Sequence, residues 1–186
     1  MRRIINSTYI SLDGVIQDPQ DWPGNGIEPD GRGGTIQTDL LSSCDAVLMG
    51  RHTYEAFAPV WTQRSGDPYS DQINTMTKYV VASRPLKAPW DNTIVLGADT
   101  GPIEEIRALK SVPGKDIVQY GFGQLSYALL EAGLLDELRL WVHPLFVGSA
   151  TAKDLLFRPS TTTQLTLVDT VPLNTGTVVL TYQANG

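Results

Sequence analysis

The residues best suited to chemistry lie in one stretch, Asp45 to Pro59, reading Asp-Ala-Val-Leu-Met-Gly-Arg-His-Thr-Tyr-Glu-Ala-Phe-Ala-Pro. Ala46 to Met49 is a short apolar run of the buried-strand kind, Gly50 interrupts it, and Thr53 falls where the N-cap of a short helix is expected. A glycine at such a turn lets backbone approach a ligand closely, and the N–H groups at a helix start attract an anion. Arg51 and His52 add side-chain donors at the same end, and the planar fork of arginine can give two parallel hydrogen bonds to a phosphate. A phosphate-bearing cofactor is the chemistry this points to. The same residues also suit a plain tight turn beside a solvated arginine, so the spacing alone leaves both readings open.

Other groups extend the pattern. Ser83-Arg84-Pro85 sets a hydroxyl and a guanidinium together just past an expected strand. Gly121-Phe122-Gly123-Gln124-Leu125 is a second glycine turn between an expected strand and helix, of the kind that brings backbone N–H groups near a pyrophosphate. Ser126 stands where a dinucleotide fingerprint has its third glycine, and no acidic residue follows at a spacing of about 20, so an ordinary Rossmann domain is disfavoured. Asp13, in Asp13-Gly14, reads as a turn former. Trp22 is suited either to stacking on a planar ring or to pinning a loop to the core. His143 reads as a sheet-face residue, and Cys44 as a small buried filler. No metal is expected.

These groups must be positioned by the elements around them. Arg3 to Ile10 reads as the first strand. Gln17 to Thr35, rich in glycine and proline, reads as a long irregular loop of the binding or lid type. Ile36 to Ser43 forms a helix that carries Asp39. Past Asp45 to Pro59, Trp61 to Pro68 is a polar loop, Ser70 to Met76 a short helix capped by Ser70, and Lys78 to Ser83 a strand. Thr93 to Leu96 is a further strand, and Gly101-Pro102 opens a helix with Ile103, Ile106 and Leu109 on one face. Asp116 to Tyr120 is a strand, and Leu125 to Ala132 a helix that Gly133 can end. Glu137 to Phe146 alternates, with Leu138, Leu140 and Val142 on one face and Arg139, Trp141 and His143 on the other. Gln164 to Val171 and Gly176 to Gln183 form a closing antiparallel hairpin. Strands alternate with helices and then finish alone, which indicates an α/β domain with a mixed sheet.

Length and composition set the outer bounds. The 186 residues suit a single domain over 1–186. With 41% hydrophobic and 18% charged residues the chain has the balance of a soluble globular protein. No apolar run approaches the roughly 18 residues of a membrane span, and the N-terminus reads as a strand rather than a signal peptide. A net charge of −6 argues against a nucleic-acid partner. The single cysteine excludes an intramolecular disulfide and fits the cytoplasm.

Ala46 to Glu55 closely resembles the corresponding strand and helix start of dihydrofolate reductases. Ser11-Leu12-Asp13-Gly14-Val15-Ile16, Tyr79 to Pro85 and Gly121-Phe122-Gly123 stand in order where that superfamily has its landmarks. Leu129 to Leu140 and Pro144 to Gly148 resemble the C-terminal reductase domain of bacterial bifunctional riboflavin-biosynthesis deaminase-reductases and their stand-alone relatives. The resemblance implies a dihydrofolate reductase-like three-layer α/β fold, with a mixed, mainly parallel sheet of about eight strands ending in an antiparallel hairpin. It implies NADPH as cofactor, with Gly50, Arg51, His52 and Thr53 at the phosphates, Ser83 and Arg84 completing the 2′-phosphate site, and Gly121, Phe122, Gly123, Gln124 and Leu125 as the second phosphate turn. Thr8 and Tyr9 would run beside the nicotinamide.

For the catalytic acid the resemblance offers Asp39 first and Asp13 second. Trp22 is the substrate-side residue, although Trp22-Pro23 reverses the Pro-Trp order of the classical signature. The sequence does not contain a zinc deaminase half. The expected activity is hydride transfer from NADPH to a small heterocyclic, pterin- or pyrimidine-like, or carbonyl or imine substrate. The alternative is a non-catalytic, stress-associated nucleotide- or ligand-binding protein that retains the cofactor pocket. A homodimer is expected from the same resemblance.

Overall fold

The computed structural model describes residues 1–22, 31–157 and 162–184. Among them the strands are β1 (Ile4–Ser11), β2 (Cys44–Gly50), β3 (Thr77–Val81), β4 (Thr93–Leu96), β5 (Asp116–Tyr120), β6 (Glu137–His143), β7 (Leu165–Pro172) and β8 (Val178–Ala184). The α-helices are α1 (Gly31–Ser42), α2 (Arg51–Trp61), α3 (Pro68–Thr75), α4 (Pro102–Ser111) and α5 (Gln124–Glu131). The strands join one sheet in the order β4-β3-β2-β5-β1-β6-β8-β7. β2 runs parallel to β3 and β5, and β3 to β4, whereas β8 is antiparallel to both β6 and β7. This is the mixed, mostly parallel sheet with an antiparallel end that the sequence indicates.

The chain forms two compact units. The first contains Met1–Ile5 and Ile36–Tyr120, and the second Asn6–Thr35 and Gly121–Gly186. The core of the first gathers Ile5, Leu41, Val47, Met49, Tyr54, Ile73, Val80 and Val118. β2 is buried from Ala46 to Met49 because parallel neighbours flank it, hence its unbroken apolar run. On α2, Tyr54 and Ala58 are four residues apart, so both fall on the buried face. The Tyr54 hydroxyl donates to the carbonyl of Ala88 at 3.0 Å. The N-terminus closes this unit: buried Arg2 pairs with Asp45 and donates to the Lys115 carbonyl at 2.6 Å, while Asp116 accepts from the Arg3 N–H at 2.9 Å.

Lys78 is an unexpected member of that interior. It is fully buried on β3, its Nζ donating to the carbonyls of Asn74 at 2.6 Å and Asp91 at 3.1 Å and lying 4.6 Å from the centre of the Trp90 ring. Burial lowers its pKa from 10.5 to about 8, with the Asp91 charge pulling partly the other way.

Several boundaries differ from the sequence reading. α1 begins at Gly31, not Ile36, so residues 31–35 of the expected loop are helical despite the poor helix propensity of their glycines. Residues 23–30 of the expected Gln17–Thr35 loop, Pro23 included, lie outside the described residues. α2 starts directly at Arg51 with Gly50 as N-cap, so Thr53 belongs to the first turn and is not the cap. α3 is capped by Asp67, whose carboxylate accepts from the N–H groups of Tyr69 at 3.1 Å and Ser70 at 3.0 Å, while Ser70 turns back onto Asp67. On β6 the face of Trp141 and His143 is more deeply buried than that of Leu140 and Val142.

In the second unit, the Trp141 Nε1–H donates to Ser7 Oγ at 3.1 Å, joining β6 to β1. The β7–β8 hairpin turns at Gly176, in the left-handed region with φ 84°, where Leu173 N–H donates to Thr177 O at 2.8 Å. β7 is exposed on both faces, with Leu167 and Val168 facing water beside a register shift.

Candidate cofactor and substrate site

β2 delivers its chain end to Gly50, and α2 begins at the next residue. No side chain caps this eleven-residue helix, and no acidic residue occupies its first turn. By contrast, α3 carries the Asp67 cap and α4 has Glu104 and Glu105 in its first turn. The positive end of α2 therefore keeps backbone N–H groups for an anion. A Cβ built at Gly50 would meet nothing within 4 Å, so the space beside the turn is open. Arg51 Nη1 donates to Glu55 Oε1 at 3.1 Å, one turn along. That pair uses one of the five N–H groups of its fork. Thr53 is half-buried and His52 exposed. Gly50 lies opposite Val81 in the parallel β2–β3 register, so exposed Ser83 and Arg84 follow just past the same carboxyl edge.

The second glycine turn lies in the other unit. Gly121, with φ 75°, has its carbonyl held by Asn6 Nδ2 at 2.9 Å. The Gly123 N–H donates to Ser126 Oγ at 3.4 Å, and that hydroxyl donates to Gly121 O at 3.4 Å. Ser126 thus ties the turn where a fingerprint would carry glycine. Space beside Gly123 is open, Phe122 is buried edge-on to Tyr127 with centroids 5.2 Å apart, Gln124 is exposed and Leu125 half-buried. Thr8 shares a face of β1 with Asn6 by strand alternation. It is 4% exposed, and its Oγ1 has no hydrogen-bond partner among the described residues. A buried unsatisfied hydroxyl costs about 1–3 kcal/mol, which a ligand atom would offset.

Asp13 does more than form a turn. Its Oδ1 accepts from Ser11 Oγ at 2.5 Å and Val147 N–H at 3.1 Å, and its Oδ2 from Gly148 N–H at 2.9 Å. The Ser11 hydroxyl first, then the Gly148 amide, hold its pKa down to about 2. This anion latches the Ser11–Ile16 loop to the segment after β6, helped by Ile16 N–H to Asp154 O at 2.8 Å and Leu156 N–H to Gly14 O at 2.8 Å. Nothing in the spacing of the residues signals this pairing, which joins positions 134 and 135 residues apart.

Beside the latch is a cleft of about 240 Å³ whose lining includes Val15, Asp18, Asp21, Trp22, Val147 and Asp154. The Trp22 indole N–H donates to Gln17 O at 2.9 Å, so Trp22 both pins its loop and walls the cleft. Behind it is His143, buried rather than merely on a sheet face, edge-on to Trp22 at 5.7 Å and 4.7 Å from the Tyr9 ring. Tyr9 and Trp22 are thereby brought to one imidazole. Asp39 is exposed on α1. Among the described residues no grouping of His, Cys, Asp and Glu could hold a metal ion, and no helix is long and apolar enough to cross a membrane.

The sequence matches the RibD C-terminal domain over residues 2–179. The chain belongs to the RibD C-terminal domain family. Similar proteins include the uncharacterized protein YyaP of Bacillus subtilis strain 168, 29% identical over 197 residues that cover 100% of this chain and 96% of that protein. A putative riboflavin biosynthesis protein from Shewanella sp. PV-4 has a similar structure, with TM-score 0.67, 19% identity and full coverage of both chains. A pyrimidine reductase-like protein from Corynebacterium diphtheriae superposes with TM-score 0.68 at 16% identity, covering 100% of this chain and 92% of the other. At these identities the structural likeness establishes the fold. Within the first unit, the uncapped start of α2 and the open space beside Gly50 fit a phosphate group.

Proposed function

We propose that the chain is an NADPH-dependent reductase acting on a small heterocycle of pterin or pyrimidine type, or on a related carbonyl or imine. The observation that carries this reading is the uncapped start of α2, with Arg51, Ser83 and Arg84 at one carboxyl edge of the parallel strands. Two guanidinium groups, a hydroxyl and backbone N–H donors match a 2′-phosphate, which NADH lacks. Family membership and the pyrimidine reductase-like and riboflavin-biosynthesis neighbours support the same chemistry. No observation favours the non-catalytic alternative.

In this reading the bound cofactor supplies hydride at its nicotinamide. Arg51, His52 and Thr53 with Ser83 and Arg84 hold the phosphate end, and Gly121 to Leu125 admit the pyrophosphate closely. Thr8 and Tyr9 border the nicotinamide, and Trp22 bounds the substrate. Asp13, an anion at neutral pH, suits orientation of the Val147 and Gly148 amides and not proton donation. Asp39 is exposed on α1, away from any apolar wall.

The test is titration of the protein with NADPH and NADH by nucleotide fluorescence. Saturable binding that prefers NADPH is expected, with the preference lost in Arg51→Ala and Arg84→Ala. Absence of saturable NADPH binding would refute the proposal.

A further inference from the structure

The antiparallel end of the sheet, all of it in the second unit, is apolar on both faces. Through the β6–β8 and β7–β8 registers, Leu138, Tyr182 and Leu167 form one row across the three strands and Leu140, Leu180 and Thr170 the next. Every charged residue of these strands, Glu137, Arg139 and Asp169, falls on the opposite face with Trp141 and Val179. Burial runs the other way from what the side chains suggest. Trp141 and Val179 on the charged face are 1% and 2% exposed, whereas Leu140, Leu180 and Tyr182 are half-exposed and Leu167 is 51% exposed. The face with no charge on it is the one left open.

An antiparallel sheet with one wet side ordinarily turns polar residues to the water. β8, reading Val-Val-Leu-Thr-Tyr-Gln-Ala, instead turns Leu180 and Tyr182 outward. The outer edge of β7 is a poor seat for a further strand, because the register shift between Leu167 and Asp169 and the proline at position 172 interrupt the ladder such a strand would need. A cover has to lie on the leucine face, and sheets pack face to face with their side chains interdigitated.

Charge and size point to the occupant. The chain carries a net charge of −6, so two copies meeting through charged surface would set like charges together, which opposes association. The leucine face brings no charge to such a meeting. Three strands of seven or eight residues cover roughly 14 by 25 Å in plan, or about 350 Å². That is a little under half of the roughly 800 Å² per partner in a standard interface, a fit to its apolar centre inside a polar rim. Under two-fold symmetry each copy presents the same aliphatic rows to the other, so the face complements itself.

We propose that the Leu140–Leu180 face of β6, β8 and β7 is where a second copy of this chain packs, sheet on sheet, about a two-fold axis. This assignment is independent of the reductase reading, which NADPH titration tests separately.

The experiment is sedimentation velocity over a concentration series of the full chain, with circular dichroism to check that each variant is folded. The parent should sediment with twice the 20.3 kDa chain mass. Leu167→Glu and Thr170→Glu each place a carboxylate at an already exposed position of the face, and should raise the dimer Kd at least about 100-fold. Thr166→Glu, on the opposite face of the same strand, should leave the dimer intact. In the parent, hydroxyl-radical labelling of Tyr182 should rise on dilution into the monomer range. A parent that is monomeric at about 100 μM overturns the proposal and leaves the face to a different apolar partner. A dimer that survives both face substitutions, one that Thr166→Glu breaks equally well, or Tyr182 labelling unchanged by dilution also overturns it.

Discussion

Replacing Lys78 with methionine should change how stability depends on pH more than stability itself. Lys78 Nζ is fully buried, and its pKa falls from 10.5 to about 8 because burial penalises the ammonium. Its folded pKa lies below its unfolded one, so the unfolded chain binds more protons between pH 8 and 10.5, and stability rises with pH across that window. From those two values the penalty is about 3 kcal/mol at pH 7, and about 2 kcal/mol of it is relieved by pH 9.5. Methionine removes the charge but leaves the Asn74 and Asp91 carbonyls without their donor and ends the contact with Trp90. Those losses total about 2–3 kcal/mol, so the variant should match the parent within about 1 kcal/mol at pH 7. Urea unfolding of both proteins from pH 7 to 9.5 is the assay, because other titrating groups cancel in the difference. The parent should gain about 2 kcal/mol relative to the variant over that range. Parallel pH curves would refute the idea that a desolvated ammonium sits beneath Trp90.

Thr8→Val removes a buried hydroxyl without a partner among the described residues, so thermal melting of the ligand-free protein should hold or rise, while NADPH affinity falls two- to tenfold. Asp13 contributes stability above its ordinary pKa of 3.8 that is lost as pH falls through about 2. Asp13→Asn should accordingly flatten acid unfolding, followed by circular dichroism, in that window. Gly114→Ala would set a Cβ 2.8 Å from Asp45 Oδ2 and 3.0 Å from Arg2 Nε, and forcing that pair apart should cost about 1–3 kcal/mol in denaturant unfolding. We also propose a homodimer, for which light scattering should give twice the 20.3 kDa chain mass.

The elements that were legible are those whose pattern is local. The unbroken apolar run before Gly50, the Gly101-Pro102 helix start and the alternation in the closing strands each carry their own periodicity. The start of α1 was not legible, since Gly31, Gly33 and Gly34 argue against a helix by their own propensity. Asp67-Pro68 was a readable cap with proline at the first helical position, and Ser70 drew attention from it. For the site, residue types along the carboxyl edge could be read because each follows a strand. The Asp13 latch to Val147 and Gly148 and the His143 contact with Trp22 join residues far apart in sequence. One chain without its register cannot reveal such pairings.

The closure of the first unit by its own N-terminus bears on biosynthesis. The Arg3 N–H finds Asp116 Oδ1, 113 residues along, and Arg2 N–H finds the Lys110 carbonyl at 3.1 Å. Until Asp116 has emerged from the ribosome, the first strand lacks these partners, and at roughly 5–20 residues per second that wait lasts on the order of 5–20 s. Throughout it an apolar segment, Ile4-Ile5, is open to chaperones and to other nascent chains. The yield of folded protein should therefore be sensitive to substitutions at Ile4, Ile5 and Asp116 that leave the folded state's stability unchanged.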